Sequence, residues 1–313
     1  MRSYALAGLL AAAIWLGGSG DARGRSIDVW HFWGPGSTVD AGFHAVADAF
    51  TERTGVSVNI TPAVTGEKIK VAIAAGAPPD VSAAWDSPVI LHWEGLVQPL
   101  TPLLRRGSVR EADFWAPSWR RAYGDGELWG VPMTSDPNFG LAYNQDIFDA
   151  AGLPDRPPRT LDDVEAYQAK LVRRGPDNTL IQYGFIPWDM YGAGNGLMLW
   201  MSAFDGQMWD SEADRPTFTS PGLVRAIEWI SDYAHRWHWQ EVPKTPGPAL
   251  FAQGFLGMVA LGPWDLTYAG IATAGFRYSI GFMPVPAGTG VTNPTFVGGH
   301  NLIVPLGADN VED

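Results

Sequence analysis

Between Ser26 and Gly95 the sequence switches back and forth between two periodicities, and that alternation leaves few folds open. Ser26 to Phe32 (SIDVWHF) alternates like a strand and runs into Gly34-Pro35-Gly36. Val39, Phe43, Val46 and Phe50 then recur at helical steps, which predicts a helix ended by Gly55; Val56, Val58 and Ile60 alternate as the next strand. Thr65 can cap a second helix that Gly76 stops, and Pro79-Asp80-Val81 opens a third strand whose outlet is Trp85-Asp86-Ser87. Ser87 and Pro88 start a third helix, closed by Gly95. Strand, helix, strand, helix, strand predicts a parallel α/β sheet, and in such sheets ligands gather at the carboxyl ends of the strands. Two loops are thereby marked, Trp33 to Ser37 and Trp85 to Pro88.

The chain has 313 residues, of which 46% are hydrophobic, enough for two domains or one large one. Residues 1–22 carry Arg2, an apolar run from Ala5 to Leu16 and small residues at Gly17 to Gly20, the pattern of a secretory signal peptide cleaved after Ala22. About a dozen apolar residues are too few to cross hydrocarbon. Cysteine is absent, which excludes a disulfide framework, a Cys₄ zinc site and an acylated N-terminal cysteine. The mature protein is therefore expected free in a periplasm rather than lipid-anchored. A net charge of -12 disfavours nucleic acid and anionic membranes as partners.

The stretch from Trp129 to Leu161 reads as a junction. Gly130-Val131-Pro132 ends one compact region, Leu141 to Asn144 reads as a short strand, and Asp146 can cap a helix from Ile147 to Ala151 that Gly152 and Pro154 stop. After the extended Pro157-Pro158, Thr160 is a good N-cap, with Asp162 and Asp163 in the first turn of a helix running to Arg173-Arg174 and stopping at Gly175. Pro221 to Trp237 predicts a helix with Leu223, Ile227, Ile230, Ala234 and Trp237 as its apolar stripe.

The junction, together with FTERTGVSV (50–58), AAGAPPDV (74–81), FAQGFLGMVALGPWDL (251–266), MPVP (283–286) and FVGG (296–299), resembles the extracellular solute-binding proteins that feed ABC importers. This is the maltose-binding-protein-like family 1, and the resemblance spans roughly residues 27–310, with Gly257 where the family usually has Ala. It implies a two-lobed α/β fold of the type II periplasmic-binding class. The first lobe would take 26–133 plus 264–295 and the second 137–260, with hinge crossings near Met133 to Asn138, Leu261 to Pro263 and Phe296 to Asn301. Family members continue past the point where this chain stops, so residues 296–313 are expected to form the third crossing and a truncated end, with the second lobe incomplete. The implied function is capture of a solute between the lobes and its delivery to membrane permease subunits, by a monomer that needs no cofactor.

The residues at the marked places suggest the ligand. Trp33, Trp85, Trp188 and Trp264 lie in marked loops, and aromatic faces stack on the C–H faces of sugars while carboxylates and amides accept hydroxyl protons. Asp86, Asp136, Asn138 and Asp189 sit near them in sequence; Gly34, Gly298 and Gly299 allow close backbone approach, and His300 follows. Trp229, Trp237 and Trp239 read as packing residues. Residues 29–37, 83–93, 129–145, 183–210, 258–270 and 293–304 hold no Lys or Arg. Such a site suits a neutral carbohydrate or polyol rather than a phosphate or carboxylate. Two alternatives remain at this point: a cationic ligand such as a polyamine or quaternary ammonium in an aromatic box, or a secreted glycoside-active enzyme using the acids as a pair. No string of the common catalytic motifs is present, so binding without catalysis is expected. His235, His238 and Glu241 read as a solvated helix face rather than a metal site.

Overall fold

Ser26–Trp30 forms strand β1 with Ile27 and Val29 buried, as its alternation requires. The computed structural model describes residues 25–84, 86–104, 109–188, 193–210, 213 and 215–310. They fall into two units: one runs to Asp136 and resumes at Val297, and the other is Pro137–Phe296. The expected signal peptide lies outside the described residues.

In the first unit, α1 (Thr38–Thr54) starts at Ser37, whose side chain accepts the Asp40 N–H, and ends at Gly55, whose φ of 77° lets its N–H reach Thr51 O. Its buried face of Phe43, Val46 and Phe50 covers the sheet. Strands β2 (Ser57–Thr61) and β3 (Val81–Ala84) pair in parallel with β1, linked through α2 (Gly66–Ala74), which Thr65 caps. Then come α3 (Pro88–Trp93), α4 (Ala116–Ala122) and β4 (Val131–Pro132). The returning strand β8 (Asn301–Ile303) lies antiparallel between β3 and β4, giving the order β2-β1-β3-β8-β4.

The second unit is built on β5 (Gly140–Asn144), flanked antiparallel by β6 (Met258–Leu261) and β7 (Tyr278–Gly281). Helices α5 (Gln145–Ala150), α6 (Leu161–Leu171), α7 (Ala193–Ala203), α8 (Pro221–Arg236) and α9 (Gly247–Ala252) complete it. Leu141, Phe148, Val164, Leu171, Trp200, Tyr233 and Met258 form its main core.

This pairing corrects the expected domain boundaries. Residues 264–295 belong with the second unit, because β7 pairs with β5 along Tyr278 to Gly281 and Arg277 binds Asp146 and Asp149 at 2.8 and 2.6 Å. Leu261 to Pro263 is likewise internal to that unit. The chain passes between the units at Asp136–Pro137 and at Phe296–Val297.

Local differences have local causes. Asn144, rather than Asp146, caps α5, its side chain accepting the Ile147 N–H at 3.0 Å, while Asp146 takes Arg277. Helix α6 stops at Leu171 because Arg173–Arg174 leave it to pair with Leu180–Gln182. On α8 the buried stripe runs through Leu223, Ala226 and Tyr233, and Ile227 is 48% exposed. Tyr233 turns the helix, since its buried hydroxyl donates to Phe185 O at 3.2 Å. Trp229 and Trp237 pack as expected, whereas Trp239 is exposed. Gly257 is explained by contact: a Cβ there would stand 3.0 Å from Cδ1 of the buried Leu171.

Candidate functional site

The outlet of β1 carries the first cluster. Phe32 and Trp33 stack with ring centroids 4.0 Å apart, and His300 meets both, edge-on to Trp33 at 4.9 Å and 72° and tilted to Phe32 at 5.0 Å. His300 is carried there by the segment before β8. Its backbone N–H donates to Thr134 Oγ1 at 3.0 Å, its Nδ1 lies 3.0 Å from the same oxygen, and its carbonyl accepts the Met133 N–H at 2.8 Å. Burial, and then the Arg121 guanidinium, push its pKa down to about 4. At neutral pH the ring is uncharged, a donor and acceptor for hydroxyls rather than a cation.

Asp136 joins this cluster through its backbone, whose carbonyl accepts the Gly298 N–H at 2.9 Å. Burial raises the Asp136 pKa, and the charge of Arg121 opposes that rise. Arg121 itself donates from Nη1 to Gly299 O at 3.0 Å. Gly299 has φ +111°, and a Cβ there would collide with the Thr134 carbonyl, so the close approach expected at Gly298-Gly299 is one the chain makes to itself. Gly34 is surrounded by open space.

Asp86, exposed at the outlet of β3, borders a cavity of about 360 Å³ with Phe32, Thr65, Lys70, Leu91 and Ile303. Lys70 is paired with Glu94 at 2.9 Å, which raises its pKa. The expectation that no Lys or Arg reaches the candidate site is therefore corrected: Arg121 and Lys70 arrive on α4 and α2, outside the stretches that lack cations. Each faces acids, Asp136 in one case and Glu94 and Asp86 in the other, so neither offers an unmatched fork to an anion.

In the second unit, the Asn138 N–H donates to Phe296 O at 3.0 Å, and its Oδ1 is buried with no partner among the described residues. Phe139 meets Phe296 edge-on at 5.5 Å and Trp264 at 6.1 Å, which brings Trp264 toward Asn138. The Trp264 ring lies so close over Gly262 that any side chain there would collide with it. Trp188 is half-buried against the core, 6.5 Å from Tyr233. Trp85 and Asp189 lie outside the described residues. Sequence reasoning missed Phe32, Thr134, Arg121 and Lys70. Phe32 and Thr134 lie in marked stretches and were within reach; the two cations carried no local signal.

Residues 45–313 match the model of a family described as bacterial extracellular solute-binding protein. The chain belongs to that family. A curated member, the sn-glycerol-3-phosphate-binding periplasmic protein UgpB of Shigella flexneri, is 28% identical over 226 residues, 68% of this chain and 50% of the relative. The chain thus spans about half the length of that relative. Among solved structures, CpMnBP1 with mannotriose bound superposes with a TM-score of 0.74 at 22% identity, covering 92% of this chain and 75% of that one. A Thermotoga lettingae solute-binding protein bound with α-D-tagatose gives 0.71 at 24%, covering 92% and 74%. A cyclo/maltodextrin-binding protein complexed with maltotetraose gives 0.70 at 19%, covering 92% and 71%. The fold is therefore the two-lobed α/β periplasmic-binding fold of this family. Among the described residues no helix is long and apolar enough to cross a membrane.

Proposed function

We propose that this protein is a periplasmic substrate-binding protein that captures a neutral carbohydrate or polyol and delivers it to the permease subunits of an ABC importer. It is exported through residues 1–22 as a cleavable signal and acts as a monomer by binding alone. The observation that carries the reading is the cluster at the β1 outlet: a stacked Phe32–Trp33 pair beside an uncharged His300, with the nearby Arg121 matched by Asp136. Stacked aromatic faces shed water onto a sugar ring, and groups that exchange hydrogen bonds without net charge suit hydroxyls. The mannotriose, tagatose and maltotetraose carried by proteins of the same fold support this ligand class.

Trp33, Trp85 and Trp264 are assigned to stacking, Trp188 to the aromatic surround, and Asp86, Asp136, Asn138, Asp189 and His300 to hydroxyl recognition. Gly34 leaves open space at its loop, while Gly298 and Gly299 hold the segment before His300 against Asp136 and Thr134.

The test is thermal unfolding of the purified chain against neutral mono- to tetrasaccharides, polyols, sn-glycerol-3-phosphate, polyamines and choline-like cations. Ligand at about 100 times Kd adds roughly 2.7 kcal/mol, a rise of several degrees. Trp33→Ala should weaken binding of the active sugar about tenfold, roughly 1.4 kcal/mol, read as the Kd of the folded variant because the lost packing on Phe32 and Phe43 lowers the unliganded melting temperature as well. A response confined to cations or to sn-glycerol-3-phosphate would overturn the neutral-ligand assignment.

A further inference from the structure

Beneath the Trp33 loop lies a buried pair of ionisable groups that ligand stacking does not use. His31 is 0% exposed, and its Nε2 stands 3.0 Å from Asp40 Oδ1, itself almost wholly buried. The other Asp40 oxygen accepts the Gly36 N–H at 2.7 Å. The His31 ring stacks on Phe43 at 4.5 Å and lies 5.8 Å from Trp33. The root of the loop is tied by main chain: His31 N–H to Thr61 O at 3.1 Å, Val64 N–H to His31 O at 3.0 Å and Ala63 N–H to Trp33 O at 2.9 Å. Its far end is held by the Ser37 N–H to Gly34 O at 3.2 Å and by Asp40.

We propose that His31 and Asp40 are positioning residues that clamp the Trp33–Gly36 loop in its ligand-ready shape; the ligand part of this rests on reading Trp33 as a stacking face. A carboxylate can only accept, so the proton between the pair sits on His31 Nε2, and that bond turns the second carboxylate oxygen toward Gly36. Asp40 is also the third residue of α1, where an acid favours the helix start. Helix capping alone, however, works at the surface and needs no histidine. Burying a carboxylate against an imidazole costs solvation that apolar packing would avoid, and what the pair adds is direction. His44, mostly exposed, contributes its Nε2 at 3.7 Å from Oδ1 on the solvent side. The Gly36 N–H holds the Asp40 pKa below the usual range, with His31 adding to it, and burial lowers that of His31.

The test separates loop order from ligand binding. The double variant His31→Phe with Asp40→Leu fills the space with apolar groups and should keep global stability near that of the parent. It leaves the Gly36 N–H without its acceptor. In protein labelled with 5-fluorotryptophan, the Trp33 ¹⁹F resonance, identified by its loss in Trp33→Phe, should shift or broaden in the double variant while the remaining lines hold. A loop in its competent shape one tenth of the time weakens sugar binding about tenfold. His31→Gln, which still donates to Asp40, should retain the parent line and affinity. Should the double variant misfold, Asp40→Leu alone leaves neither the His31 Nε2 nor the Gly36 N–H its partner, and it should move the same resonance. A Trp33 line unchanged in a folded variant overturns the proposal. A line that moves with affinity intact overturns the ligand role. If the parent binds no sugar at all, the proposed function fails and the ¹⁹F signal alone still decides the clamp.

Discussion

Mild acid should loosen this fold before most of its carboxylates titrate, and His300 supplies the largest part of the effect. Its imidazole takes a proton near 6.5 in the unfolded chain but only at about 4 in the fold, because burial and Arg121 oppose the charge. Between those values the unfolded state binds more protons, so stability is fully present above 6.5, is lost as pH falls toward 4, and levels off below. The loss amounts to roughly 3 kcal/mol in the limit, with about 2.5 kcal/mol gone by pH 4.5. His31, lowered by burial, adds in the same direction. Asp136 acts oppositely: its raised pKa favours the fold at acid pH, a contribution lost as pH rises through its folded value. Urea unfolding at about pH 7, 5.5 and 4.5 measures the sum, and His300→Gln isolates the imidazole while keeping a side chain able to bond Thr134. The parent should fall more steeply, so that the gap between the proteins shifts by about 2.5 kcal/mol over the series. Parallel curves would refute the reasoning.

Other substitutions probe the backbone and the packing. Gly299→Ala sets a methyl against the Thr134 carbonyl at φ +111° and should cost about 3 kcal/mol or more in thermal unfolding; a melting temperature unchanged within a degree or so would contradict the strain. Gly257→Ala pushes a Cβ to 3.0 Å from Leu171 and should cost about 1–3 kcal/mol in urea unfolding, whereas a stabilised variant would show that the core has slack. Thr160→Ala removes the cap that accepts the Asp163 N–H at 3.1 Å and should cost about 1 kcal/mol by chemical denaturation, a neutral result counting against the capping box.

What could be read from the sequence was mostly what neighbouring residues decide among themselves. Ser37, Thr65 and Thr160 at helix starts, Gly55 at a helix end and the alternation of β1 all behave as their local chemistry requires. Trp33 and His300, drawn from opposite ends of the chain, do meet, because strand outlets and family landmarks each mark a place in the fold. The errors lie where distant segments choose partners. Nothing near Tyr278 announces that its strand will pair with Gly140–Asn144, so residues 264–295 were open to the wrong unit. Arg121 sits on a helix with no sign of its later contact with Gly299, and scanning the loops for cations passes over it. The expected α8 stripe holds at Leu223, Ile230 and Trp237, while Ala226 and Tyr233 are buried in place of Ile227 and Ala234, a choice the buried Tyr233 hydroxyl decides.

The position of β8 has a consequence for the order in which this molecule can take shape. The strand lies inside the first unit's sheet, between β3 and β4, yet it follows the whole of the second unit in sequence. Every strand of the second unit's three-stranded sheet precedes it in sequence, so that sheet can pair while the first unit's sheet still lacks the strand that joins β3 to β4. Until β8 is in place β3 and β4 present unpaired edges, so the first unit's sheet is completed only by the segment that follows the second unit.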